Sequence, residues 1–234
     1  MQPQDFSTLV QTAFTNHYTQ IKGSSIPAFN IQFYPYCDLN HSIRLRKGKI
    51  WIRISDILAD APFNVLSSLL NILLHKLFNT HTHTNHLRIY RHYINQPYLR
   101  PKILMARRYR SKQHSNNPIG VFYNLDQIFQ QLNRCYFQEK LQALTSWNHK
   151  QSRTFLACYD PAHQTIAVNP QLDDLSIPKW VLEYVVFHEM LHVALDGYSS
   201  NGRWIIHHKR FHEAEKRFPH YRKARKFITT YPWR

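Results

Sequence analysis

Apolar residues recur at helical spacing in Asp5–Ile21, where Phe6, Leu9, Val10 and Phe14 fall on one face, and the segment is expected to be a helix. Ile31–Tyr36, Ser42–Arg46 and Lys49–Ser55 alternate as strands do. Lys47-Gly48 between the last two is a hairpin signal. Pro62 suits the start of a further helix, which carries Val65, Leu66, Leu69, Leu70, Leu73 and Leu74 towards Phe78. The pattern breaks over Gln96–Pro118. Pro97 and Pro101 punctuate this stretch, cations crowd it, and it closes on Ser115-Asn-Asn-Pro-Ile-Gly. It is expected to be a connector. Beyond it a helix is expected across Leu125–Leu144, then a hairpin of Thr154–Tyr159 and Thr165–Asn169 around Asp160–Gln164. Pro178 opens a helix over Trp180–Leu195 that is apolar on most sides and should be buried, with Gly197 as its C-terminal cap. A last helix over Lys209–Phe218 and a basic tail to Arg234 complete the chain.

The two halves resemble one another. Ile50-Trp-Ile-Arg-Ile-Ser55 parallels Thr165-Ile-Ala-Val-Asn-Pro170, and Leu73-Leu-His-Lys-Leu-Phe-Asn79 parallels Val186-Phe-His-Glu-Met-Leu-His192. An internal duplication is expected, with the first copy degenerate because Lys76 and Asn79 stand where Glu and His would be needed. The expected organisation is a scaffold half at 1–95, a basic connector at 96–118 and a second domain at 119–234. The fold class is α+β, with a small, mostly antiparallel sheet packed on the helix that carries His188.

That helix holds the chemistry. His188 and His192 are four apart, which places both imidazoles on one face, one turn apart, as ligands of one Zn²⁺. Glu189 sits beside the first ligand, placed to act as general base towards a metal-activated water. Three charged or polar groups in so apolar a helix would be costly to bury without a purpose. Glu183, His207, His208 and His212 are the candidates for a third ligand.

The chain has 234 residues, 43% of them hydrophobic, enough for a packed core. Lys plus Arg total 30 against 14 acids, a formal net charge of +16. That balance favours polyanionic partners, nucleic acid foremost. Arg100, Lys102, Arg107, Arg108, Arg110 and Lys112 form one basic cluster, interleaved with Tyr98 and Tyr109, and the tail from Arg203 to Arg234 forms another. Solvated cationic faces are the plainer alternative. Cys37, Cys135 and Cys158 are too few and too scattered for a disulfide framework or a thiolate zinc ribbon. No secretory leader opens the sequence and no apolar run is long enough to span a bilayer, so a cytoplasmic protein without membrane insertion is expected.

Over Leu125–Tyr221 the residues Tyr136-Phe137, Trp147, the Thr154–Asn169 hairpin, His188-Glu-Met-Leu-His192 and His207-His-Lys-Arg-Phe211 together resemble the SprT-like zinc metallopeptidases, minimal members of the gluzincin group of zincins. The resemblance implies a zinc peptidase with a protein or peptide substrate. It implies Glu189 as the catalytic residue and His188, His192 and His207 as the metal ligands, because Phe211 supplies the aromatic four residues after His207. His208 is the alternative register, and His212 a surface or outer residue. The resemblance also implies that a substrate strand adds to the edge of the hairpin at Thr154–Tyr159. Tyr159 and Tyr198 are both available to an oxyanion, and spacing singles out neither. Relatives that act on DNA-bound proteins agree with the basic charge. A basic nucleic-acid-binding protein with a structural zinc and no catalysis is the competing reading.

Overall fold

The computed structural model describes residues 3–23, 25–111, 116–149, 151–152, 155–200 and 203–233. Lys112, Ser115, Thr154 and Arg234, which figure in the expectations above, lie outside them. The class is α+β, with eight α-helices among the described residues and two small mixed sheets. The chain forms two compact units, Met1–Ser111 with Ser199–Trp204, and Lys112–Tyr198 with Ile205–Arg234. No described helix is long and apolar enough to cross a membrane. All three cysteines are free thiols.

The first unit opens with helix α1 (Pro3–Lys22), followed by β1 (Phe29–Tyr34), β2 (His41–Arg46) and β3 (Lys49–Ser55). Lys47 and Gly48 both have positive φ (47° and 70°), the geometry of the two-residue turn that matches strand twist, and glycine takes it without steric cost. Strand β3 lies in the middle of its sheet, antiparallel to β2 and parallel to β1. The sheet is therefore mixed, not mostly antiparallel. A tight turn can join only β2 to β3, so β1 is left to pair on the other side of β3 in the parallel sense. Ile50, Ile52 and Ile54 all face one way into a core with Phe14 of α1 and Leu66, Leu69, Leu70 and Leu74 of α2 (Phe63–Leu77). Helix α3 (Thr84–Ile94) follows.

The stretch expected to be a connector is instead largely helix α4 (Leu99–Arg110). Pro101 falls in its first turn, where a missing N–H has no intrahelical partner to lose. Leu99, Ile103 and Ala106 share the face that packs on Ile57. The polar face is tied down by ion pairs. Arg110 grips Asp56 with both terminal nitrogens (2.6 and 2.8 Å), Lys102 reaches Asp60 at 3.3 Å and Arg107 lies 3.7 Å from Asp38.

The second unit repeats this order of elements. Helix α5 (Leu125–Phe137) precedes β4 (Leu144–Trp147), β5 (Ala157–Asp160) and β6 (Thr165–Val168). Again the last strand is central, parallel to the first and antiparallel to the second. Each central strand leads through a single 3₁₀ turn (Asp56–Leu58, Pro170–Leu172) to a helix whose N-cap is proline, Pro62 for α2 and Pro178 for α6 (Lys179–Ala194). The structural register differs from the one the sequence suggests. Ile52 and Ile54 face their core as Ile166 and Val168 face theirs, which shifts the strand alignment by one residue. Counted from the two prolines, His188, Glu189 and His192 correspond to Ile72, Leu73 and Lys76. The first unit still lacks the ligands, but His75 is not the counterpart of His188.

Helix α5 stops at Phe137, seven residues short of expectation, because Gln138 and Glu139 turn left-handed (φ 55° and 59°). Helix α6 has β5, β6, α5, α7 (Lys209–Glu215) and α8 (Tyr221–Thr230) around it, which is why it is apolar on nearly every side. Leu195, in extended geometry, ends α6, and Gly197 has no positive φ, so the expected glycine cap is not used. The tail is helix α8, with Ala224, Phe227 and Ile228 against the core and Arg222, Lys223, Arg225 and Lys226 outward.

A pH prediction arises in the first unit. His41 Nδ1 accepts the Ser55 N–H (3.2 Å), so the neutral ring carries its proton on Nε2 and donates it to Tyr90 Oη (2.7 Å). Burial brings this ring down from an ordinary 6.5 to about 4. The neutral form is the one the fold holds. Its stabilisation is fully present above pH 6.5 and is lost as pH falls through 4, roughly 3 kcal/mol in all. His17 and His86, also lowered by burial, act in the same sense. The urea midpoint of this unit should fall between pH 7 and 4.5, and less steeply in His41→Gln. An equal acid loss in His41→Gln would exclude the His41 contribution.

Candidate metal centre

Three side chains converge in the second unit. His188 and His192 project from one face of α6, and His207 arrives from the segment before α7. One ligand atom from each lies within 4.8 Å of the others. They therefore lie close enough to bind a metal ion. His192 Nε2 and His207 Nε2 are 3.1 Å apart. A tetrahedral zinc at about 2.0–2.1 Å from each nitrogen would hold its ligands about 3.3 Å apart, so the donor set and spacing fit zinc. Among the described residues three histidines meet here, so a tetrahedral ion held by them would keep a fourth position for water or substrate.

The histidines are held in place by packing. Phe211 of α7 is fully buried, and its ring centroid lies 5.1, 4.7 and 4.7 Å from those of His188, His192 and His207. Burial lowers His192 to about 4, helped by repulsion from His188 and His207, and His207 is lowered by burial first as well. Neutral imidazoles with free lone pairs are the form a metal needs.

Glu215, in the last turn of α7, was not foreseen as part of the site. Its Oε1 accepts hydrogen bonds from His188 Nδ1 (2.8 Å) and from the Tyr184 hydroxyl (2.7 Å), and its Oε2 lies 3.5 Å from His212 Nδ1. Burial alone would raise this carboxyl, but the bonds from His188 and Tyr184 outweigh it and bring it down to about 2. With its proton committed on Nδ1, His188 presents the Nε2 lone pair. This is the usual arrangement of a carboxylate behind a metal-ligating histidine. The only trace in sequence is an acid four residues after Phe211 on an otherwise core-facing helical stripe.

Glu189 is 7% exposed, and its Oε2 accepts the backbone N–H of Tyr159 at 2.8 Å. Burial raises its pKa, opposed by the neighbouring His188 and by that backbone bond. Tyr159 lies on β5, the edge strand next to α6. The hairpin edge expected to receive a substrate strand thus has one of its outward N–H groups already engaged by Glu189.

The other sequence candidates stand elsewhere. His208 is the N-cap of α7, its Nδ1 accepting the Phe211 N–H at 3.3 Å, so of the two adjacent histidines it is His207 that joins the cluster. Glu183 pairs with Lys179 at 3.0 Å on α6. Tyr198 is half exposed with its ring 5.7 Å from that of His208. Comparisons with protein-family models, curated proteins and solved structures found no match for this chain.

Proposed function

We propose that the chain is a zinc-dependent metallohydrolase, a peptidase of SprT-like, zincin type, and that the second unit carries its active site. The observation that carries this reading is the convergence of three histidines with a buried glutamate on the same helix as two of them. A structural zinc would more often be closed by four protein ligands, commonly cysteines. Among the described residues three histidines come together, and a buried acid stands beside one of them on α6.

His188, His192 and His207 would hold the metal, with Phe211 packed against all three rings and Glu215 fixing that of His188. When bound, zinc supplies Lewis acidity that lowers the pKa of a coordinated water to about 7. Glu189 Oε2 is anchored by the Tyr159 amide, which leaves Oε1 to accept a proton and later hand it to a leaving amine. The β5 edge upstream of Tyr159 is where an extended substrate backbone would pair. Proteins associated with nucleic acid are the substrates that the net positive charge favours.

The test is hydrolysis of an unfolded polypeptide by the zinc-loaded chain, stopped by a zinc chelator and restored by added zinc. Fully loaded protein that cleaves no peptide bond in such substrates, alone or in the presence of nucleic acid, would favour the competing reading of a basic binding protein with a structural zinc.

Removing the charge behind the ligand gives a further prediction. Glu215→Gln is expected to weaken zinc binding about ten- to hundredfold. The readout is competition with a chromophoric chelator. An unchanged affinity would mean that Glu215 serves only the packing of α7.

A further inference from the structure

The basic cluster that the sequence singles out is largely engaged. Of its described members, Lys102, Arg107 and Arg110 are in ion pairs with Asp60, Asp38 and Asp56, and Arg100 lies over the Trp204 ring at 4.9 Å. A different surface of the same unit is not neutralised. The pairing register of β1, β2 and β3 puts Tyr34, Arg44, Arg46, Lys49, Trp51 and Arg53 on the side of the sheet opposite its isoleucine core. The other positions on that side, Asn30, Gln32, Ser42 and Ser55, are uncharged. From Leu39 to Ser55 the sequence contains no acidic residue. Among the described residues none of these four cations pairs with a carboxylate.

The aromatics on this side are open to solvent, Trp51 at 43% and Tyr34 at 38% exposure. Each carries a cation on its ring, Lys49 over Trp51 at 4.5 Å and Arg53 over Tyr34 at 4.7 Å. Arg44 stands directly opposite Trp51 across the ladder. An exposed indole in the middle of a sheet, ringed by cations that no described carboxylate neutralises, fits a ligand that is both polyanionic and flat-faced. Bases stack on such rings while phosphates meet the cations. A duplex hides its base faces, and an acidic peptide has none to offer.

We infer that the outer face of the β1–β3–β2 sheet binds a single strand of nucleic acid, with Trp51 and Tyr34 as stacking platforms and Arg44, Arg46, Lys49 and Arg53 as phosphate contacts. The inference is independent of the metal centre. It gives the first unit a role of its own, since Ile72, Leu73 and Lys76 at the ligand and base positions deny it one as a second hydrolase site.

The experiment is fluorescence anisotropy of a labelled oligothymidylate of about 15 nucleotides titrated with the full chain. Trp51→Ala is expected to weaken binding about 10- to 100-fold, and Trp51→Phe to restore most of the loss. Four phosphate contacts predict a log–log salt slope of about −3 (0.7 times four), which Arg44→Glu with Arg46→Glu should lower by about half. His188→Ala should bind as wild type. The inference is overturned if Trp51→Ala binds like wild type. It is also overturned if the Arg44 and Arg46 changes are silent while Arg222→Glu with Lys223→Glu on α8 abolishes binding. Equal affinity for polyglutamate of matched length would overturn the commitment to nucleic acid.

Discussion

Glu189→Gln should retain the metal and lose turnover by about a hundred- to ten-thousandfold, the usual contribution of a positioned general base. The amide is nearly the same size, and its oxygen can still accept the Tyr159 N–H, so neither the β5–α6 packing nor the three imidazoles are disturbed. What disappears is a group able to take a proton. The steady-state rate on an unfolded polypeptide, with metal content measured on the same sample, separates the two effects. A variant that cleaves at the wild-type rate would remove Glu189 from the chemistry. A variant that loses its metal would mean that the carboxylate supports the ligand cage.

Phe211→Ala should be the most damaging change that leaves every polar group of the site intact. The ring is fully buried in the core of the second unit and touches all three histidines. Truncating a buried phenylalanine costs about 3–5 kcal/mol through lost transfer energy and the cavity left behind. Here the cavity also opens beside the imidazoles, so their orientation becomes less restricted and zinc affinity should fall as well. Two compact units make a single unfolding transition an unsafe assumption, so the measurement is the urea transition of the second unit followed with its own tryptophans. An unfolding free energy within about 0.5 kcal/mol of wild type, the range of ordinary surface substitutions, would contradict the role given to Phe211.

The parts that were legible from sequence are those fixed by local periodicity. The stripe of leucines in α2, the apolar run of α6 and the Lys47-Gly48 turn each announce themselves within a few residues. The two histidines on α6 were legible for the same reason, since four residues is about one turn. Non-local partners were not. The cations of α4 look like a solvated connector until Asp38, Asp56 and Asp60, more than forty residues earlier, are brought beside them. Pro101 hid α4 further, because a proline in the first turn and a proline that breaks a helix are alike in sequence. The end of α5 depends on left-handed Gln138 and Glu139, a geometry usually announced by glycine. Glu215 was missed because its partner His188 lies 27 residues away, and the choice between His207 and His208 required knowing which of them caps α7. The outer face of the first sheet became visible only once the parallel pairing of β1 with β3 had put Tyr34 on the same side as Trp51 and Arg53.

The proposed zinc site is made by His188, His192 and His207. Metal content of the purified chain, expressed with ample zinc, tests it most directly, alongside His188→Ala and Glu189→Gln. One zinc per chain is expected in the wild type and in Glu189→Gln, with loss of that zinc in His188→Ala. No zinc in the wild type, or zinc that persists undiminished in His188→Ala, would contradict it.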